Sequence, residues 1–281
     1  MTKILVPTDF SHTAQRAFAY AQKWSESFPE ARIHVVHLYV PAVESEYPNT
    51  VPPIPEFIEA RQDMLKEFVA DSMDACREEL RHPAPVTYEL EIGFPADEIA
   101  KLSAEYDLII MGTTGATDLL DRWFGSVSSN VARRAQCPVL MVPKAASFSP
   151  IRHILYAANY ESADEDAIEQ LLAINRYLKA TLHFLHVAEA DDDPAAFAKS
   201  KAELFEGLFE DGVPKFSFTM DEVPGKDITE SISHYADANG IDLVVMATRQ
   251  RSFWERFFRR SQSRRMALTT RLPLMIYHFA E

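Results

Sequence analysis

Three of the eight glycines of this chain fall in one stretch. Met111-Gly112-Thr113-Thr114-Gly115 is followed by Gly125-Ser126-Val127-Ser128, a G-x2-G-x9-G-S spacing that begins where an apolar run (Asp107-Leu108-Ile109-Ile110-Met111) ends. Glycine at a strand end lets backbone approach a ligand closely. A Gly-Ser pair at a helix start presents unpaired N–H groups, which suit phosphate. The competing reading is a strand-to-loop turn whose glycines serve only positive φ. No P-loop lysine follows the glycines, so phosphate would be held by amides and hydroxyls, with Mg²⁺ as an aid. Arg122 inside the loop either adds charge to such a site or is a solvated loop residue. Asp118 and Asp121 are the local acids that a phosphoryl-transfer step would draw on.

The elements that must position this stretch can be read from periodicity. Short apolar runs near residues 3–7, 32–40, 86–92, 107–111 and 138–142 read as buried parallel strands. Amphipathic segments lie between them. Thr13 to Phe28 sets Ala17, Phe18, Ala21 and Trp24 at helical spacing, with Ser11 as its N-cap. Ile58 to Leu80 carries Met64, Phe68, Val69 and Met73 on one side, and shorter helices are expected near 95–104 and 127–135. Strand and helix alternate throughout. That order predicts an α/β fold with an open, doubly wound parallel sheet of Rossmann-like type, binding ligands at the carboxyl ends of its strands.

The pattern occurs twice. Asp107-Leu108-Ile109-Ile110-Met111-Gly112-Thr113 recurs as Asp242-Leu243-Val244-Val245-Met246-Ala247-Thr248, and Cys137-Pro138-Val139-Leu140-Met141-Val142 meets Leu272-Pro273-Leu274-Met275-Ile276-Tyr277 at the same offset. Lys3-Ile4-Leu5-Val6 corresponds to His153-Ile154-Leu155-Tyr156, and Ile33 to Leu38 corresponds to Leu182 to Val187. A repeat of this length is a duplicated domain, not a solenoid. The expected domains are 1–145 and 151–281, joined through the aperiodic Lys144 to Pro150 and packed as a pseudo-dimer. Pro41 to Pro55 is a proline-rich excursion, read either as a cover over a ligand or as a surface loop without a role.

Composition bounds the function. The chain has 281 residues, 47% apolar and 25% charged, as in an ordinary globular protein. A net charge of −14 argues against broad nucleic-acid affinity and against anionic membranes. The N-terminus has no secretory pattern and no window is long and apolar enough to span a bilayer, so a soluble, cytoplasmic protein is expected. Cys76 and Cys137 lack metal spacing and read as buried hydrophobes.

With the alternation, the glycine motif and the opening Val6-Pro7-Thr8-Asp9-Phe10-Ser11 in view, the chain resembles the universal stress protein family, in its tandem two-domain form. The resemblance spans nearly the whole chain. Nucleotide-binding members of that family hold ATP between the first strand's end, the second strand's end and the glycine motif. Carried over, the resemblance implies Pro7 and Asp9 at the nucleoside end and Leu38 along the adenine slot. Met111, Gly112 and Gly115 would wrap ribose and phosphates, while Gly125, Ser126, Val127 and Ser128 would meet the triphosphate. The second unit departs at each decisive place. Ala247, Gln250 and Arg260 stand for the three glycines, Asn159 for Asp9 and Ala157 for Pro7, although Ser261 keeps the hydroxyl. ATP is therefore expected in the first unit alone.

The second unit carries instead an arginine-rich stretch, with Arg249, Arg251, Arg256, Arg259, Arg260, Arg264, Arg265 and Arg271 interleaved by Phe253, Trp254, Phe257 and Phe258. It reads as an anion site or, by the reading favoured, as arginines paired with acids at an interface within the chain or in a homodimer. His34 with His37, and His183 with His186, share an H-x-x-H spacing. Residues three apart on a strand point to opposite faces, so structural histidines are expected and no metal site. The leading function is an ATP-binding regulator of the stress response that acts through an unidentified protein partner. A slow ATP hydrolase or phosphotransferase, and a nucleotide-independent scaffold, are the alternatives.

Overall fold

A computed structural model describes residues 3–40, 54–113, 126–158, 162–188, 194–208, 215–225, 227–248 and 271–279. The chain divides into two compact units, Met1–Lys144 and Ala145–Glu281. In the first, β1 (Lys3–Thr8), α1 (His12–Ser25), β2 (Arg32–Tyr39), α2 (Ile54–Cys76), β3 (Val86–Ile92), α3 (Pro95–Leu102), β4 (Leu108–Gly112), α4 (Ser126–Ala132) and β5 (Val139–Val142) alternate along the chain. The strands pair in parallel in the order β3-β2-β1-β4-β5. Strand order therefore reverses between β1 and β4. In an open α/β sheet that reversal opens a crevice at the strands' carboxyl ends.

The central strands are apolar throughout because helices cover both faces of the sheet. Ile4, Leu5, Val6, Val35, Val36, Leu108, Ile109, Ile110, Leu140 and Met141 are all fully buried. Helix α1 seats Ala17, Phe18, Ala21 and Trp24 on this core, the residues its period singled out. The Ser11 side chain accepts a hydrogen bond from the Ala14 N–H and caps the helix. Helix α2 starts at Ile54, four residues before the expected Ile58, and ends at Cys76 in a 3-10 turn over Arg77–Glu79. Pro55 in its first turn explains the earlier start: an N–H there has no intrahelical acceptor, so proline costs nothing.

The second unit repeats the plan with β6 (His153–Ala157), α5 (Ser162–Leu178), β7 (Thr181–Ala188), α6 (Pro194–Leu208), β8 (Phe218–Pro224), α7 (Ile228–Asn239), β9 (Leu243–Thr248) and β10 (Leu274–His278). Its strand order, β8-β7-β6-β9-β10, is that of the first unit position by position. The two halves are tandem copies of one doubly wound fold. Among the described residues no helix is long and apolar enough to cross a membrane.

Candidate functional site

Pro7 shapes the crevice between β1 and β4. The Asp107 N–H donates to the Lys3 carbonyl at 2.9 Å, which turns alternate residues of β1 toward β4. Lys3 and Leu5 face that way, and Pro7 is next. Proline has no N–H to give, and the β1–β4 ladder stops at Ile4↔Leu108 and Leu5↔Ile109. On its other side β1 stays paired with β2 through Thr8↔His37. In the second unit Ala157 occupies the matching position, and the β6–β9 ladder runs on from Ile154↔Leu243 to Ala157↔Met246. For want of one donor the β1–β4 ladder stops two residues short. Its counterpart in the second unit is hydrogen-bonded two residues further.

Beyond β1 the chain turns sharply. Phe10 has φ 64°, an uncommon conformation for a bulky residue. Two side-chain bonds support it: the Phe10 N–H donates to Thr8 Oγ1 and the Ser11 N–H to Asp9 Oδ1, each at 3.0 Å. The Phe10 ring lies 4.1 Å from the His37 imidazole and 5.8 Å from Phe68, so the strained residue is anchored by aromatic packing. His37 Nδ1 donates in turn to the Thr8 carbonyl at 2.8 Å. Burial pushes the His37 pKa down, against the opposing pull of that bond and of Asp9, with Arg61 adding to the depression. The second unit keeps this tie, His186 Nδ1 to the Ala158 carbonyl at 3.1 Å. Asp9 is left exposed at the mouth and Leu38 is buried at the end of β2.

The end of β4 closes the other wall. Met111 is buried, and Gly112 packs so tightly on α1 that a Cβ there would come within 2.6 Å of Thr13 Cγ2 and 3.1 Å of Thr13 backbone. The Thr113 N–H donates to the Val142 carbonyl at 3.2 Å, and Ser128 Oγ donates to the Thr113 carbonyl at 3.2 Å. The last bond ties the start of α4 to the end of β4, so both ends of the glycine stretch are pinned together. Pro7, Asp9, Leu38, Met111 and Gly112 thus converge on the carboxyl ends of β1, β2 and β4, and Ser126, Val127 and Ser128 open α4 beside them. The short ladder suits a ligand that needs close backbone approach, whereas the missing Cβ of Gly112 makes room for Thr13 of α1. Gly115, Gly125, Asp118, Asp121 and Arg122 lie outside the described residues, as do Asn159, Gln250, Arg260 and Ser261 and the arginines from Arg249 to Arg265. Sequence reasoning missed Phe10, Thr13 and the ladder-breaking role of Pro7. A proline within a central strand was the available signal.

The histidine pairs separate as strand geometry requires. His34 Nδ1 meets Thr87 Oγ1 at 2.8 Å, away from His37. In the second unit His183 sits in a longer row: its Nε2 meets His153 Nδ1 at 3.0 Å, and its Nδ1 meets Tyr235 Oη at 3.1 Å and Thr219 Oγ1 at 3.2 Å. Thr219 Oγ1 donates to Asp221 Oδ2 at 3.0 Å, and the Tyr235 hydroxyl donates to the same oxygen.

The model of the universal stress protein family matches residues 1–143 and again 150–278. A universal stress protein of Methanocaldococcus jannaschii is 30% identical over 160 residues, which cover 50% of this chain and 94% of that protein. One from Synechocystis is 23% identical over 99% of this chain and 100% of its own length. The crystal structure of a universal stress protein from Archaeoglobus fulgidus superposes with a TM-score of 0.70 at 19% identity, covering 98% of each chain, and so shares the fold. Two matches of the family model, one on each of two units of the same strand order, establish that this chain belongs to the universal stress protein family.

Proposed function

We propose that the first unit binds ATP in the crevice between β1 and β4 and that its occupancy regulates a partner interaction during stress. The reading rests on one observation above the others. The β1–β4 ladder ends at Leu5 because Pro7 lacks a donor, whereas Ala157 carries the matching ladder of the second unit onward. The shorter ladder then coincides with the unit that has the three glycines and Asp9.

In this reading Asp9 accepts from ribose hydroxyls, Leu38 borders the base, and the glycine stretch brings amides to the phosphates. The Ser128–Thr113 bond holds the two described ends of the glycine stretch together beside the crevice. The second unit serves packing, a partner or another ligand. Equilibrium binding with labelled ATP tests the proposal. Gly115→Gln, which imports the second unit's residue, should abolish binding while circular dichroism and thermal melting stay as in the parent chain. No binding to the parent chain at millimolar nucleotide, or normal binding to the variant, would remove this site.

A further inference from the structure

β3 ends the sheet of the first unit: it pairs with β2, and among the described residues no strand lies along its other edge. The hydrogen-bond parity of β3 is set at both ends. The Ile33 N–H donates to the Pro85 carbonyl at 2.9 Å, and the Gly93 N–H donates to the Tyr39 carbonyl at 3.0 Å. Alternate residues of a parallel ladder face the same neighbour. Thr87, Glu89 and Glu91 therefore bond to β2, while Tyr88, Leu90 and Ile92 hold their N–H and C=O groups outward.

The same alternation sorts the side chains onto two faces. Tyr88 is 44% exposed and Ile92 56%, and Phe94, just beyond the strand, is 68% exposed. Glu89 and Glu91 occupy the opposite face, near Glu98 of α3 and Glu105. Burial, with repulsion from those three carboxylates, pushes the Glu91 carboxyl upward, and Glu98 is paired with Lys101 at 2.7 Å.

Exposed edges are commonly blunted by lysine, proline or a bulge. The β3 sequence, Val86-Thr87-Tyr88-Glu89-Leu90-Glu91-Ile92, contains neither lysine nor proline. Its paired glutamates guard against a particular neighbour instead. A second copy laid along β3 would set carboxylates against carboxylates, and the net charge of −14 adds to that repulsion. A cationic strand meets the opposite condition.

We propose that the free edge of β3 docks an extended, basic segment of a partner protein. The segment adds as a strand to Tyr88, Leu90 and Ile92, lays apolar side chains beside Tyr88 and Ile92, and sets lysine or arginine over Glu89 and Glu91. Main-chain bonds supply affinity and the alternating side chains supply selection, as in other cases of strand addition. Docking here is independent of nucleotide, so it stands or falls apart from the crevice.

The probe is a short peptide alternating lysine with valine, long enough to span β3, and its control replaces lysine with glutamate. With the full chain, the lysine peptide should bind, the control should not, and hydrogen exchange should slow at the amides of Tyr88, Leu90 and Ile92. The double variant Glu89→Lys, Glu91→Lys changes side chains at the rim of the sheet and should weaken the peptide by about tenfold or more. The proposal is overturned if the lysine peptide does not bind, if both peptides bind equally, if those amides gain no protection, or if the double variant binds as tightly as the parent. Protection of the same amides by self-association of the chain would give the edge to a second copy and overturn it equally.

Discussion

His183 shows how hydrogen-bond accounting fixes protons at the scale of single residues. With Asp221 a carboxylate, the hydroxyls of Thr219 and Tyr235 both donate to it. Neither has a second proton, so each can only accept from His183, whose Nδ1 must carry hydrogen. Its Nε2 is then the acceptor for His153 Nδ1–H. A second proton on His183 would face a donor and break the row. Burial, helped by His153 and opposed by Asp221, pushes the His183 pKa below its ordinary 6.5, and burial likewise lowers His34 and His37. The sign follows: below about pH 6.5 the unfolded chain takes up more protons at these sites than the folded one, so stability falls with falling pH. Urea midpoints should drop between about pH 7.5 and 5.5, and His183→Gln should reduce that drop relative to the parent chain. An unchanged difference between the two pH values would show that His183 titrates alike in both states. The H-x-x-H spacing foretold structural histidines on opposite faces. It was silent about His153, Tyr235 and Asp221, which reach His183 only through pairing of distant segments.

At the scale of elements, α1 packs closely against the end of β4. Gly112 was singled out for ligand contact, and the helix makes a separate demand on it, because a Cβ would strike Thr13 side chain and backbone. Backbone inside the first turn of a capped helix cannot yield cheaply. Gly112→Val should therefore cost about 1–3 kcal/mol, read as a lowered denaturant midpoint with an unchanged slope. A midpoint equal to that of the parent would show that α1 gives way at Thr13. Helix α1 itself was legible because its period and the Ser11 cap are local. The Phe10 turn was not, since a bulky residue at positive φ is held by His37 and Phe68, from β2 and α2. Edge strand β3 was legible as a strand, yet its place at the rim depends on sheet order.

For the whole molecule, duplication followed by divergence yields two units of one topology whose ladders differ in length where strand order reverses. The proposed reading expects one ATP per chain. Calorimetric titration should give a stoichiometry of one, and Gly115→Gln should reduce it to none; two sites per chain would show that the second unit also accepts nucleotide despite its longer ladder. Much of this architecture was legible in the residue order. Alternating apolar runs and amphipathic segments announce strands and helices, and the recurrence of Asp107–Thr113 at Asp242–Thr248 announces the second domain, because period and repeat are properties of the chain itself. Which ladder stops short was settled only when β1 found β4. Pro7 matters because its missing N–H points at β4 and not into β2, and such a direction exists only once three strands lie side by side.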